Sequence, residues 1–135
     1  LGSEHMTPKT ILIADDDMRL LNALTCRLES EGYRVVATQD GYQALALARR
    51  ETPDLLLLDI NMPAGDGFSV HQRIVQIDEL RDKPVIYVTG EDSPRVYDLA
   101  NTLGAVAIVH KPFETSELMN AIRSYIDASP RKLQA

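Results

Sequence analysis

Short apolar runs alternate with amphipathic stretches along the chain, and this alternation predicts the order of its secondary structure. Five runs are largely apolar, as expected for strands: Ile11–Ala14, Tyr33–Thr38, Leu55–Leu58, Val85–Val88 and Val106–Val109. Pro53 and Pro63 bracket the four leucines of the third run and leave room only for a strand. Near-continuous apolar strands, each followed by a helical stretch, predict a (βα)5 α/β fold with a buried parallel sheet.

The stretches between these runs repeat apolar residues every three or four positions, which predicts amphipathic helices. The five apolar sets are Leu21, Leu24 and Leu28; Ala44, Leu45 and Ala48; Val70, Ile74 and Ile77; Val96, Leu99, Ala100 and Leu103; and Leu118, Ala121, Ile122 and Tyr125. Asp17 is placed to cap the first helix, and Ser93 before Pro94 predicts the start of the fourth. We expect Thr115 or Ser116 to cap the fifth.

The length of 135 residues fits one compact domain, and 44% hydrophobic with 25% charged residues is ordinary for a globular protein. No apolar run approaches the roughly 20 residues that span a bilayer, so we expect a soluble, cytoplasmic protein without a membrane partner. A formal charge of −6 argues against direct nucleic-acid binding by this domain. The single cysteine, Cys26, cannot form an internal disulfide, and its apolar surroundings predict a buried packing residue.

The two ends of the chain differ from the part between them. Residues 1–8 begin with LGSEHM, which has no signal-peptide pattern and is typical of a disordered remnant of cloning. Residues 129–135 are polar and predict a tail or the stump of a linker. The folded domain is therefore expected to span residues 9–128.

Chemistry-bearing side chains gather where the predicted strands end. Ligands of an open parallel sheet bind beyond the carboxyl ends of its strands. The first strand is followed by Asp15 and Asp16, the third by Asp59, the fourth by Thr89 and the fifth by Lys111. Crowded carboxylates repel one another unless a cation is present, and hard oxygen ligands suit Mg²⁺. A metal, a lysine and a threonine beside an aspartate would form a cradle for phosphoryl transfer to that aspartate.

These residues resemble a known family, the receiver domains of two-component response regulators in the CheY-like superfamily. The resemblance spans about Lys9 to Ala128. It is carried by Ile11-Leu12-Ile13-Ala14-Asp15-Asp16-Asp17, by Leu58-Asp59-Ile60-Asn61-Met62-Pro63 with Gly65, Asp66 and Gly67, by Val88-Thr89-Gly90, and by Lys111-Pro112-Phe113. It implies a flavodoxin-like, doubly wound, five-stranded parallel sheet in the order 2-1-3-4-5.

The resemblance also implies a phosphorylation-activated switch rather than a turnover enzyme. Asp59 would accept a phosphoryl group from a phosphohistidine of a histidine kinase or phosphotransfer domain. Asp15, Asp16, Asp59 and the backbone carbonyl of Asn61 would bind Mg²⁺. The domain would assist its own phosphorylation and dephosphorylation, and would signal to an effector through the face formed by its fourth helix, fifth strand and fifth helix.

The remaining roles follow the same pattern, with one departure. Thr89 would hydrogen-bond the bound phosphoryl group, Lys111 would pair with Asp59 or with phosphoryl oxygens, and the peptide bond before Pro112 is a candidate for the cis form. Many members carry an inward-turning aromatic residue three positions before this lysine, whereas this chain has Ile108. We therefore expect the signal to be relayed by a route that needs no aromatic rotamer change.

Two alternatives stay open at this point. The first is a phosphohydrolase with Asp59 as nucleophile, although such enzymes place a second acid where this chain has Asn61. The second is an interaction module on the same fold that is never phosphorylated, which the intact set of acidic, threonine and lysine residues disfavours.

Overall fold

The computed structural model describes residues 7–127, in which five strands and five helices alternate. The strands are β1 (Thr10–Ala14), β2 (Arg34–Thr38), β3 (Leu55–Leu58), β4 (Val85–Thr89) and β5 (Ala107–His110), and the helices are α1 (Met18–Ser30), α2 (Gly41–Glu51), α3 (Gly67–Ile74), α4 (Pro94–Leu103) and α5 (Thr115–Ile126). The predicted α/β alternation is confirmed, with strand ends displaced by one residue from the sequence expectation in β1, β2, β4 and β5.

All five strands are parallel and lie in the order β2-β1-β3-β4-β5. The strand order reverses at β1, so the chain is doubly wound, as the resemblance implied. Every residue of β1, β3 and β4 is buried, whereas the edge strands β2 and β5 are partly exposed. Burial on both faces explains why the three central strands are continuous apolar runs rather than alternating ones.

Two apolar layers cover the sheet. One layer joins β-strand side chains to Ala44, Val70, Ile74 and Val96, so α2, α3 and α4 lie on one face. The other joins them to apolar residues of α1 and α5, which cover the opposite face. Helices on both faces leave only the edges at the strand ends open to a ligand.

The helix ends confirm some predictions and correct others. Asp17 caps α1 by accepting hydrogen bonds from the backbone N–H groups of Arg19 and Leu20. The prediction for α5 was wrong: Glu114, with an extended backbone (φ −76°, ψ 138°), is the N-cap, so Thr115 already lies inside the first turn. The third helix ends at Ile74, and Ile77 packs against the same core from beyond it.

Cys26 corrects a second prediction, because it is exposed on α1. The buried face of this helix is set by Leu24 and Leu28. Two residues along a helix correspond to a rotation of about 200°, so Cys26 points away from both leucines. The apolar residues close to Cys26 in the sequence therefore do not surround it in the folded chain.

The two predicted terminal segments lie at or beyond the ends of the described residues. The segment expected to be a cloning remnant, residues 1–8, falls mostly outside the described residues, and the expected tail, 129–135, falls wholly outside them. None of the helices within residues 7–127 has the length and apolar character required to cross a bilayer.

Candidate functional site

The carboxyl ends of β1 and β3 bring three acidic side chains together. The ladder continues one residue past each strand, because Asp15 N–H donates to Thr38 O at 3.1 Å and Asp59 N–H donates to Ala14 O at 2.9 Å. Asp15, Asp16 and Asp59 each offer a carboxylate oxygen, and these atoms lie within 4.8 Å of one another. The parallel sheet predicted from the sequence thus brings the three expected carboxylates together.

Lys111 joins the cluster from the end of β5. Its Nζ lies 2.7 Å from Asp15 Oδ2 and 3.2 Å from Asp59 Oδ2. Asp15 and Asp59 are buried, whereas Asp16 is exposed and lies outside these two ion pairs. The sequence predicted the contact between Lys111 and Asp59 but missed the shorter contact with Asp15.

Burial and the neighbouring charges shift the pKa values of Asp15 and Lys111 in opposite directions. Burial raises the pKa of Asp15, and the hydrogen bond from Lys111 only partly offsets it. Burial alone would lower the pKa of Lys111, but its contacts with Asp15 and Asp59 outweigh that effect and raise it. Lys111 is therefore held as an ammonium between two carboxylates.

Thr89 ties β4 to the neighbouring loops. It is fully buried, and its Oγ1 accepts a hydrogen bond from Glu91 N–H at 3.1 Å. Its carbonyl accepts from Lys111 N–H at 2.9 Å, which fixes the end of β5 beside that of β4. The peptide bond between Lys111 and Pro112 is cis, as expected.

Asn61 connects the loop after β3 with the loop after β4. Its backbone N–H donates to Asp59 Oδ1 at 3.2 Å, and its side-chain amide donates to Glu91 Oε1 at 3.1 Å. Glu91 also accepts from Ser93 Oγ at 2.6 Å and from Arg95 Nε at 2.5 Å. Hydrogen bonds from Arg95, Ser93 and Asn61 lower the pKa of Glu91 to about 2.

This Glu91-centred network went unnoticed in the sequence. The signal that could have revealed part of it is the spacing of Glu91 and Arg95, which suits an ion pair across one helical turn. Ser93 is the N-cap residue of α4, as predicted, but its hydroxyl donates to Glu91 and makes no cap hydrogen bond.

The loop after β3 packs so closely against neighbouring backbone that glycine is required where the loop joins α3. A Cβ on Gly67 would lie 2.5 Å from the backbone oxygen of Asp59. A Cβ on Gly41, at the start of α2, would overlap the carbonyl of Gly65. The backbone that follows Asp59 is therefore held between α2 and α3 by direct contact.

His71, His110 and Ile108 lie outside the acidic cluster. His71 is buried, and its Nδ1 is 2.6 Å from Tyr87 Oη. Burial lowers the pKa of His71 to about 4. His110 Nε2 is 2.8 Å from Tyr97 Oη, and Ile108 is half-buried against the core layer beneath α2, α3 and α4.

The donor set fits a hard divalent cation. Three carboxylates and one ammonium leave the cluster with a formal charge of −2, which a divalent ion would neutralise. All its ligand atoms are oxygens, and one carboxylate is exposed, so a bound ion could keep water or phosphate ligands. These features suit Mg²⁺ better than a soft metal, which prefers thiolate or imidazole ligands.

Comparison with known proteins agrees with this geometry. The family model for the response regulator receiver domain matches residues 11–123. Over 119 residues the chain is 33% identical to the polar-differentiation response regulator DivK of Brucella anthropi, covering 88% of this chain and 97% of that protein. The chain spans about half the length of other curated relatives, which include probable transcriptional regulators.

Solved structures show the same arrangement of the backbone. A CheY-like receiver domain protein from Methanospirillum hungatei JF-1 has a TM-score of 0.85 at 30% identity, covering 90% of this chain and 95% of that one. The receiver domain of the sensor histidine kinase PA1611 from Pseudomonas aeruginosa PAO1 has a TM-score of 0.81 at 28% identity, covering 90% and 100%. In that structure a magnesium ion is coordinated in the active-site cleft.

Proposed function

This chain belongs to the response regulator receiver domains of two-component systems, and we propose that it is a phosphorylation switch with Asp59 as phosphoryl acceptor. The donor is the phosphohistidine of a histidine kinase or a phosphotransfer domain. The observation that carries the proposal is the placement of Asp59, a buried carboxylate in contact with Lys111 and within reach of two further carboxylates.

The transfer is a displacement at phosphorus. A carboxylate oxygen of Asp59 attacks the phosphorus atom, and the bond between phosphorus and the donor imidazole nitrogen breaks. The bonding electron pair leaves with that nitrogen, which takes up a proton, and Asp59 becomes an aspartyl phosphate. Such a reaction depends mainly on positioning and on stabilising charge at the phosphoryl oxygens.

Two side chains supply that stabilisation. Lys111 Nζ, 3.2 Å from Asp59 Oδ2, is placed to pair with a phosphoryl oxygen once Asp59 is modified. Thr89 Oγ1 accepts a hydrogen bond from the backbone, so its own O–H remains available to donate to a phosphoryl oxygen. Removing either side chain should weaken the modified state more than the unmodified one.

The acidic cluster provides the metal site in this proposal. Asp15, Asp16, Asp59 and the backbone carbonyl of Asn61 would hold Mg²⁺. When bound, the ion neutralises charge on the carboxylates and on the transferring phosphoryl group. The net negative charge of the cluster and its all-oxygen donors support this assignment.

The phosphohydrolase alternative is less well supported. The second acid that such an enzyme uses would stand at Asn61, whose amide cannot donate a proton as an acid and is hydrogen-bonded to Glu91. A module that is never phosphorylated would have no use for a buried Asp59 beside an ammonium, since burying charges costs free energy. We therefore propose an acceptor that assists its own phosphorylation and dephosphorylation without turning over other substrates.

We also propose that the signal leaves through the face formed by α4, β5 and α5 to a downstream effector. Glu91 is the structural basis, because its carboxylate contacts Asn61 beside the acceptor and Arg95 on α4. A change at Thr89 and Glu91 would therefore reach α4 through direct hydrogen bonds.

Phosphorylation in the absence of a kinase tests the proposed function. The chain is incubated with acetyl phosphate and Mg²⁺, and intact mass is measured with and without a chelator. We expect the mass of one added phosphoryl group only when Mg²⁺ is present. Steady turnover of a chromogenic phosphoester would instead favour the phosphohydrolase, and no uptake at all would favour the interaction module.

A further inference from the structure

Helix α2 carries a second stripe of residues beside its core-facing one, in which only Leu45 is half-buried against the core. Its core-facing stripe is buried and consists of Gly41, Ala44 and Ala48. The second stripe follows the same helical spacing one position later: Tyr42, Leu45, Ala46 and Arg49. Tyr42 is 75% exposed, more than any other large hydrophobic side chain within residues 7–127.

This stripe forms one wall of a groove between α2 and α3. The groove has a volume of about 490 Å³, and the opposite wall is made by Ser69, Val70 and Arg73. Ala64 and Gly65, from the loop after β3, close the end nearest to the sheet edge. Small residues on both sides leave space for another backbone to approach, while Tyr42 and the half-buried Leu45 provide apolar contact.

The groove is positively charged although the chain as a whole carries a formal charge of −6. Its charged lining residues are Arg49 and Arg73, and no acidic side chain lines it. Among the residues that the structure describes, neither arginine has a carboxylate oxygen within 4.0 Å. An adjoining groove shares Arg49 and Arg73 and reaches Asp78 and Glu79 at its far end.

We propose that this groove, defined here as the α2–α3 groove, binds an acidic amphipathic segment of a partner protein. Apolar side chains of that segment would pack against the exposed Tyr42 and the half-buried Leu45. Its carboxylates would pair with Arg49 and Arg73, whose planar guanidinium groups bind carboxylates with two hydrogen bonds. Tyrosine and arginine are also the residue types in which the binding energy of interfaces is concentrated.

The site is separate from the phosphoryl acceptor and from the α4–β5–α5 face. An acidic partner is favoured over a basic one because a basic segment would meet two arginines without a compensating charge in the α2–α3 groove.

A peptide titration tests the proposal. The probe is a synthetic helical peptide of about three turns with leucines along one face and glutamates on both flanks. A second peptide carries lysine in place of every glutamate. Each is titrated into ¹⁵N-labelled, unphosphorylated full chain, and amide shifts and affinity are measured, so the result does not depend on whether Asp59 accepts a phosphoryl group.

We expect the acidic peptide to shift amides around Tyr42, Ala64 and Ser69, and the lysine peptide to leave them unchanged. Arg73→Ala and Tyr42→Ser should each weaken binding about tenfold or more, whereas Arg19→Ala, an exposed arginine on α1, should not. Equal binding of both peptides, shifts confined to another face or no shifts would overturn the proposal. So would self-association of the chain abolished by Tyr42→Ser, since the occupant would then be a second copy.

Discussion

Lys111 Nζ forms an ion pair with Asp15 Oδ2 at 2.7 Å, although the two residues follow strands that are not neighbours in the sheet. The same ammonium lies 3.2 Å from Asp59 Oδ2. Lys111 therefore balances the negative charge of Asp15, a proposed metal ligand, and of Asp59, the proposed acceptor. Asp16 is left as the third, exposed negative charge of the cluster.

This division of charge predicts the effect of Asp16→Ala. Removing the third carboxylate relieves repulsion without taking a partner from Lys111, so the melting temperature without metal should rise by about 2–4 °C. We expect Mg²⁺ to stabilise the wild-type chain and this stabilisation to disappear in Asp16→Ala. Thermal unfolding with and without MgCl₂ measures both effects. Asp17→Asn, which keeps the helix cap, is the control, and an unchanged Mg²⁺ response in Asp16→Ala would move the metal elsewhere.

The acceptor assignment predicts that Asp59→Asn takes up no phosphoryl group from acetyl phosphate. The amide is nearly the same shape as the carboxylate but is not a nucleophile at this centre. Intact mass measures the uptake, and circular dichroism checks that the variant is folded. Asp17→Asn should be modified like the wild type. One equivalent of phosphoryl group on Asp59→Asn would show that another residue is the acceptor.

The relay prediction concerns the loop from Gly90 to Ser93. Phosphorylation replaces the single charge of the Asp59 carboxylate with a phosphoryl group that carries about −1.5 to −2 charges and three acceptor oxygens. Thr89 would follow these oxygens and draw Glu91 and the start of α4 with it. Ile108 is branched at Cβ and stiff in χ1, so we expect little rotamer change there.

Amide and methyl shifts with and without beryllofluoride, a stand-in for the phosphoryl group, measure this relay. Large shifts should run from Thr89 to Leu103, and the Ile108 methyl signals should move little. Asp59→Asn treated in the same way is the control and should stay unchanged. Shifts limited to α1 and α2, with Thr89 to Leu103 silent, would contradict the relay.

The buried His71 predicts a loss of stability in acid. Its pKa in the folded chain is about 4, below the usual value of 6.5, because burial disfavours the charged ring. The unfolded chain therefore binds a proton first. The contribution of neutral His71 to the free energy of unfolding is complete above pH 6.5. It is lost as the pH falls towards 4, and the total loss is about 2–3 kcal/mol.

Urea unfolding between pH 7 and pH 4 measures this loss. His71→Gln, whose side-chain oxygen can still accept a hydrogen bond from Tyr87, should be less sensitive to acid over that range. His110→Gln should keep the wild-type sensitivity because His71 is still present. Identical pH profiles for the wild type and His71→Gln would rule out His71 as the source.

The close approach at Gly67 predicts that Gly67→Ala is destabilising by about 1–3 kcal/mol. The new methyl carbon would lie 2.5 Å from the backbone oxygen of Asp59, and two such atoms cannot approach so closely. The higher helix propensity of alanine would favour the variant, so a net loss isolates the steric effect. Denaturant unfolding measures it. Gly90→Ala, which has no atom within 4 Å of the new Cβ, is the control, and equal stabilities would show that the loop can yield.

The five helices and five strands were predictable from the sequence because each depends on local periodicity and on stop signals such as Pro53. The acidic cluster was predictable too, since the ends of adjacent parallel strands must lie at one edge of the sheet. Asp15, Asp16, Asp59 and Lys111 are therefore found together as expected. Local pattern was less reliable at Cys26. This residue lies two positions from the buried Leu24 and Leu28 on α1, and that offset places it on the exposed face of the helix.

The tertiary structure alone decided which of these side chains contact one another. The sequence placed Lys111 at the site, but its preference for Asp15 over Asp59 depends on distances across three strands. Likewise, Glu91 contacts Asn61 because two loops converge that are thirty residues apart. Periodicity determines which face of an element is buried, whereas hydrogen bonds and ion pairs depend on positions within a few tenths of an ångström, which only the packed chain defines.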